Sequence, residues 1–172
     1  VIVDLGTNVD TRPEQLLDFG ALGSIMSRVI YKEKNPKIAL LSVGKEKGKG
    51  SSLVKETSVL LENSGLNFVG NIESRDLFLG KADVIVCDGF TGNIVLKEAE
   101  GIYYLLKKRG IKDSYFDKFN YENYGGTPVL GVKGNVIIGH GVSNAKAVKN
   151  MLIHSYEVAK SGLSNKINEA FK

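Results

Sequence analysis

The sequence has 172 residues, 42% of them apolar, with 23 basic and 19 acidic side chains for a formal net charge of +4. This is the profile of an ordinary globular protein without a low-complexity tract, and the mild positive charge permits an acidic partner, such as a phosphorylated ligand or an acidic carrier protein, without demanding one. No run reaches the roughly 18 apolar residues of a membrane span, and one cysteine cannot build a disulfide framework, so the expected compartment is the cytoplasm.

Residues 1–3 read as a buried strand, and a chain that opens mid-strand on Val1 is expected to belong to a longer polypeptide. The polar stretch Asp4 to Asp10 leads into a helix over 12–29, with Thr11 as N-cap, Glu14 as capping-box partner and Pro13 in the first turn. A strand over 38–43 ends in the loop Gly44-Lys45-Glu46-Lys47-Gly48-Lys49-Gly50, followed by a helix over 51–63, a strand over 67–69 and a short helix over 73–79. The run Val84-Ile85-Val86-Cys87 is the next strand. It ends in Asp88-Gly89-Phe90-Thr91-Gly92-Asn93, before a helix over 94–106.

The last third gives strands over 128–132 and 136–138 joined as a hairpin, the loop Gly139-His140-Gly141-Val142-Ser143-Asn144, and a helix over 143–160 capped by Ser143. Short apolar runs without polar alternation are strands covered on both faces. With helices between them, they predict an α/β fold around a mostly parallel sheet, which the hairpin makes mixed. Residues 101–119 interleave Ile102, Tyr103, Leu105, Leu106, Ile111, Tyr115 and Phe116 with Lys107, Lys108, Arg109, Lys112 and Lys118. Such a basic amphipathic excursion suits a membrane surface or an acidic partner, and equally a helix packed on the core.

Several chemistries fail on spacing. The 44–50 loop has three residues rather than four between Gly44 and Gly48, and Gly50 where a P-loop needs Ser or Thr. It can still hold an anion, because it follows a strand, opens a helix and carries Lys45, Lys47 and Lys49, and it reads equally as a flexible exposed basic turn. No dinucleotide fingerprint occurs. Gly141-Val142-Ser143 approaches a nucleophile elbow, but the later His154 precedes Glu157 and shares a helix with Ser143. His140 and His154 lack metal-ligand spacing, so no metal and no cofactor are expected. Cys87 reads as a core residue.

A strand followed by a glycine loop and a helix start aims backbone N–H groups at an anion. Asp88 at its strand end, His140 between two glycines, and the helix-start asparagines Asn93 and Asn144 therefore carry either functional or turn-fixing roles.

The wording of these segments resembles the bacterial phosphate acyltransferase family PlsX. The matching residues are Asp4-Leu5-Gly6-Thr7-Asn8-Val9-Asp10 with Pro13-Glu14, then Asn35-Pro36 and the 44–50 loop. They continue through Phe68-Val69-Gly70-Asn71-Ile72-Glu73-Ser74-Arg75-Asp76, the Ala82 to Asn93 run, Tyr124-Gly125-Gly126, and Gly139-His140-Gly141 with Ser143-Asn144.

The resemblance implies a three-layer α/β/α fold like those of phosphotransacetylases and isocitrate dehydrogenase-like enzymes. It makes residues 1–172 one α/β piece, the C-terminal part of an enzyme whose N-terminal part precedes Val1. It implies acyl transfer from an acyl carrier protein thioester to inorganic phosphate, for phospholipid synthesis, by a homodimer peripherally associated with membrane and binding no nucleic acid. On that basis the expected catalytic residues are Asp88, His140 and Asn93. Asn8, Lys49, Gly89, Gly92, Gly141, Ser143 and Asn144 are expected to bind phosphate or substrate. No covalent acyl-enzyme is expected, since neither Cys87 nor Ser143 has a positioned base. The stretch between Glu98 and Tyr124 is shorter than in the family. A short-chain acyl-CoA phosphotransacylase and a non-catalytic module binding carrier protein or membrane remain as alternatives.

Overall fold

Ile38, Ala39 and Leu40 are wholly buried, as are Val84 and Val86, because their strands are covered on both faces. The computed structural model describes residues 1–172 and divides into two units, Val1–Ile94 and Val95–Lys172.

In the first unit β1 (Ile2–Val3), α1 (Pro13–Ile30), β2 (Ile38–Leu41), α2 (Ser52–Glu62), β3 (Phe68–Ile72) and β4 (Val84–Val86) follow in order. The four strands form one parallel sheet in the order β1-β4-β2-β3. The chain therefore moves outward from β1 to β3 and doubles back to place β4 between β1 and β2. Helix α1 packs on α2, β1 and β4. It comes close because Gly23 faces Val84, where an added Cβ would sit 2.5 Å from Cγ1.

The fold class agrees with the reading from sequence, and the differences lie at element ends. Helix α1 starts at Pro13 with Arg12 as N-cap, and the side chain that closes the first turn is Gln15, whose Oε1 accepts the Arg12 N–H at 3.0 Å; Thr11 and Glu14 do not form the expected box. Val43 is 85% exposed, because the chain leaves the sheet at Ser42 to enter the basic loop. β3 runs on to Ile72 past Gly70, whose φ of 96° takes up a bulge between the Ile38 and Leu40 pairings. The expected helix over 73–79 is a single 3-10 turn, Ser74–Asp76.

Helix α3 (Gly89–Lys108) begins five residues early, so the supposed glycine loop is its first turn. It ends before Gly110, where φ is 73°, and a 3-10 turn, Phe116–Phe119, follows; the 101–119 excursion is thus not one helix.

The second unit contains α4 (Tyr121–Tyr124), β5 (Gly126–Pro128), β6 (Ile137–Gly139), α5 (Ala145–Ser161) and α6 (Leu163–Ala170). β5 and β6 pair antiparallel in a two-stranded sheet of their own, so the main sheet is purely parallel rather than mixed. Both strands pack on α5. Ala147, Val158, Leu163 and Ile167 form this unit's core, and Gly162, at φ 69°, separates α5 from α6. No helix is long and apolar enough to cross a membrane.

Candidate active site

The carboxyl ends of β1 and β4 are stitched together. Cys87 N–H donates to Val3 O at 2.8 Å, and Asp4 N–H donates to Cys87 O at 2.9 Å. Asp4, 8% exposed, then organises the loop that follows it. Its Oδ1 accepts Gly6 and Thr7 N–H at 2.9 and 3.0 Å, and its Oδ2 accepts the Asn8 main-chain N–H and Nδ2 at 2.7 and 2.9 Å. Burial opposes ionisation of this carboxyl, but the bonds from Thr7, Asn8 and Gly6 outweigh it and hold the pKa below the ordinary value.

From the β4 side, Gly89 N–H donates to Asn8 O at 2.8 Å, and Asn93 Nδ2 donates to Leu5 O at 3.1 Å. A Cβ on Gly92 would collide with the Asp4 carbonyl, and one on Gly89 would lie 2.6 Å from Asn8 O. These glycines permit close approach.

This corrects the expectation that Gly89 and Gly92 offer free amides. Gly89 N–H is bonded to Asn8, and Gly92 N–H donates to Asp88 O at 2.9 Å within the helix. Asp88 is likewise engaged: Oδ1 accepts Thr91 N–H at 2.7 Å and Oδ2 accepts Thr91 Oγ1–H at 2.8 Å, so it closes the first turn of α3. Cys87 lies beneath this mouth. Burial, with the Asp88 and Asp4 charges beside it, pushes its thiol up to about 12, which leaves it un-ionised and inert as a nucleophile.

In the basic loop, Asp76 is buried, and each of its oxygens takes a lysine: Lys45 Nζ on Oδ2 at 2.8 Å and Lys81 Nζ on Oδ1 at 2.6 Å. The two ammonium groups hold that carboxyl well below the usual carboxylate range. Lys47 pairs with Glu62 at 2.8 Å. Of the loop's three lysines, Lys49 alone forms no ion pair and projects into solvent.

In the second unit the loop after β6 is built around His140. Its Nδ1 accepts Val142 N–H at 3.3 Å, its ring stacks on Tyr121 at 4.5 Å and 23°, and its Nε2 lies 3.7 Å from Glu100 Oε1. Ser143 Oγ–H donates to His140 O at 2.6 Å. The N-cap of α5 is Asn144, not Ser143: its Oδ1 accepts Ala147 N–H at 3.0 Å while its Nδ2 donates to Glu122 at 2.9 Å. Ser143 instead closes the turn onto His140. Gly141 is exposed, with open space where a side chain would stand.

Asn8, Asp88, Gly89, Gly92 and Asn93 thus gather at one strand-end mouth, and His140, Gly141, Ser143 and Asn144 in one loop. Lys49 stands in a third place, beyond β2. Sequence reasoning missed Asp4, Glu100, Tyr121 and Glu122. The signal for Asp4 was present, since a carboxylate at a strand end followed by glycine and asparagine is an Asx-turn pattern. Glu100, Tyr121 and Glu122 lie 18 to 40 residues before His140 in the chain and have no local signature.

Residues 1–166 match the family model described as "Fatty acid synthesis protein". The chain belongs to this family. Its similar relatives include proteins named "Phosphate acyltransferase". The one from Thermodesulfovibrio yellowstonii is 43% identical over 190 aligned positions, covering 99% of this chain and 55% of its own length. That from Dictyoglomus turgidum is 44% identical, covering 98% and 56%, and that from Syntrophomonas wolfei is 45% identical, covering 88% and 49%. The family member described here spans about half the length of the curated relatives it matches. The 190-position alignment exceeds the 172 residues present, so that relative carries residues inside the matched stretch that this chain lacks.

Proposed function

We propose that this chain is part of a phosphate acyltransferase that moves an acyl group from an acyl carrier protein thioester to inorganic phosphate. The observation that supports this most is 43% identity, across 99% of the chain, to a protein of that name. In the reaction a phosphate oxygen bonds to the carbonyl carbon, the C–S bond breaks, and the electron pair leaves on sulfur, which takes up a proton. The protein must hold a dianion in line with the carbonyl and stabilise the oxyanion that forms.

His140, the open Gly141 amide and the Ala145 and Lys146 amides of α5 are the donors, at the positive end of a 17-residue helix. Ser143 holds the turn. Within the first unit, Asn8 held on Asp4 and Asn93 held on Leu5 O form a second polar group suited to phosphate or substrate, and Gly89 and Gly92 let the loops of the β1–β4 mouth close up. Lys49 attracts phosphate. The transfer needs neither metal nor cofactor.

Lys107, Lys108, Arg109 and Lys112 are exposed and suit an acidic carrier protein. Tyr104, Leu105 and Ile111, also exposed, suit a peripheral membrane contact of a cytoplasmic homodimer. The test is to incubate the intact polypeptide with phosphate and either acyl carrier protein thioester or acyl-CoA, trapping acyl phosphate with hydroxylamine. Hydroxamate from the carrier thioester is expected. Product from acyl-CoA alone indicates the short-chain phosphotransacylase instead, and product from neither rejects acyl transfer.

A further inference from the structure

The geometry around His140 settles which edge of its ring carries the proton. Val142 N–H donates to Nδ1, which is therefore the bare nitrogen, and the proton of the neutral imidazole sits on Nε2. Nε2 faces Glu100 Oε1 at 3.7 Å. That is too long for a hydrogen bond, yet close enough for the carboxylate to favour the protonated edge. The Nε2 proton is thus directed but not consumed. Tyr121 supports both halves of the arrangement. Its ring stacks on the imidazole at 4.5 Å, and its hydroxyl donates to Val142 O at 3.2 Å, steadying the peptide whose neighbouring N–H selects the tautomer.

We infer that Tyr121 and Glu100 are positioning residues that hold His140 as an Nε2–H donor, so that His140 gives a hydrogen bond or proton and does not take one from phosphate. What the donated proton serves rests on the acyl-transfer reading: it meets the developing oxyanion or the departing sulfur. The orientation itself does not rest on it.

Long-range proton–nitrogen correlation spectra of the intact, nitrogen-15-labelled protein, recorded where the imidazole is neutral, test this. His154 is the only other histidine, so His154→Gln assigns the signals. The expected result is a protonated Nε2 and a bare Nδ1 for His140. Tyr121→Ala is expected to mix the tautomers and lower kcat for hydroxamate formation about tenfold, with KM for phosphate within about twofold, as for a misplaced but present group. Tyr121→Phe, keeping the stack, recovers most of this. Glu100→Gln, which keeps shape and removes charge, lowers the Nε2–H fraction.

A protonated Nδ1 in the unmodified protein overturns the inference, as does a Tyr121→Ala protein with unchanged tautomer and kcat. Should Tyr121→Ala fail to fold, Glu100→Gln and Tyr121→Phe decide through the same spectra. No hydroxamate from the unmodified protein would reject the acyl-transfer reading alone, and the tautomer would still decide the orientation.

Discussion

Asp4 converts its strand end into a rigid turn, because four donors from three successive residues converge on one buried carboxylate. Asp4→Asn removes charge and acceptor capacity together and is expected to cost about 1–3 kcal/mol in urea unfolding at neutral pH. The pH dependence has a fixed sign. The folded pKa lies below the unfolded one, so the stabilisation is present above the ordinary carboxylate pKa and fades as pH falls through the folded value. The gap between wild type and Asp4→Asn should therefore narrow below about pH 4, and a gap that widens there would contradict the hydrogen-bonded carboxylate. Cys87 makes a second prediction at this scale. With its thiol pushed up to about 12 and buried, it should resist iodoacetamide in the folded protein and react on unfolding, and Cys87→Ala should retain acyl transfer.

At the scale of elements, the N-terminus of α3 shows what sequence can and cannot disclose. Strand β4 was legible from four apolar residues in a row, and the following glycines marked a close approach. Which approach they serve was not legible, because Gly92 is small to clear the Asp4 carbonyl, 88 positions earlier in the chain. A glycine that reads as loop can equally be a helical glycine under a crossing backbone. The same contrast gives a test within one helix. Gly92→Ala, forced against main chain, should destabilise by roughly 3 kcal/mol, the upper end for overpacking. Gly101→Ala, with open space around it, should stabilise by about 0.5–1 kcal/mol through helix propensity. Equal effects in denaturant melts would refute the packing account.

A hairpin and the helix α5 were likewise anticipated, but the hairpin's first strand lies at Gly126–Pro128 rather than over 128–132, and the sheet it belongs to was not foreseen. Alternation and turn signals identify a pair of strands, whereas the partner that covers them is chosen by packing on α5.

Across the whole molecule, the parallel order β1-β4-β2-β3 places two loops from distant sequence side by side at one strand-end mouth, and the second unit supplies a histidine loop at the start of a long helix. Charge is divided on the same plan. Lysines of the basic loop are tied down by Asp76 and Glu62 except Lys49, while Lys107, Lys108, Arg109 and Lys112, at and just past the end of α3, remain in solvent. The expected site residues thus fall into a few groups, each assembled by its own unit. The claim that acyl transfer to phosphate runs through His140 is tested most directly by hydroxylamine-trapped product from the intact protein, comparing His140→Gln with His154→Gln. A fall of about 10²–10³-fold for His140→Gln, beside an unchanged rate for His154→Gln, is the predicted result for loss of a positioned donor. A His140→Gln protein that forms acyl phosphate as fast as wild type would contradict it.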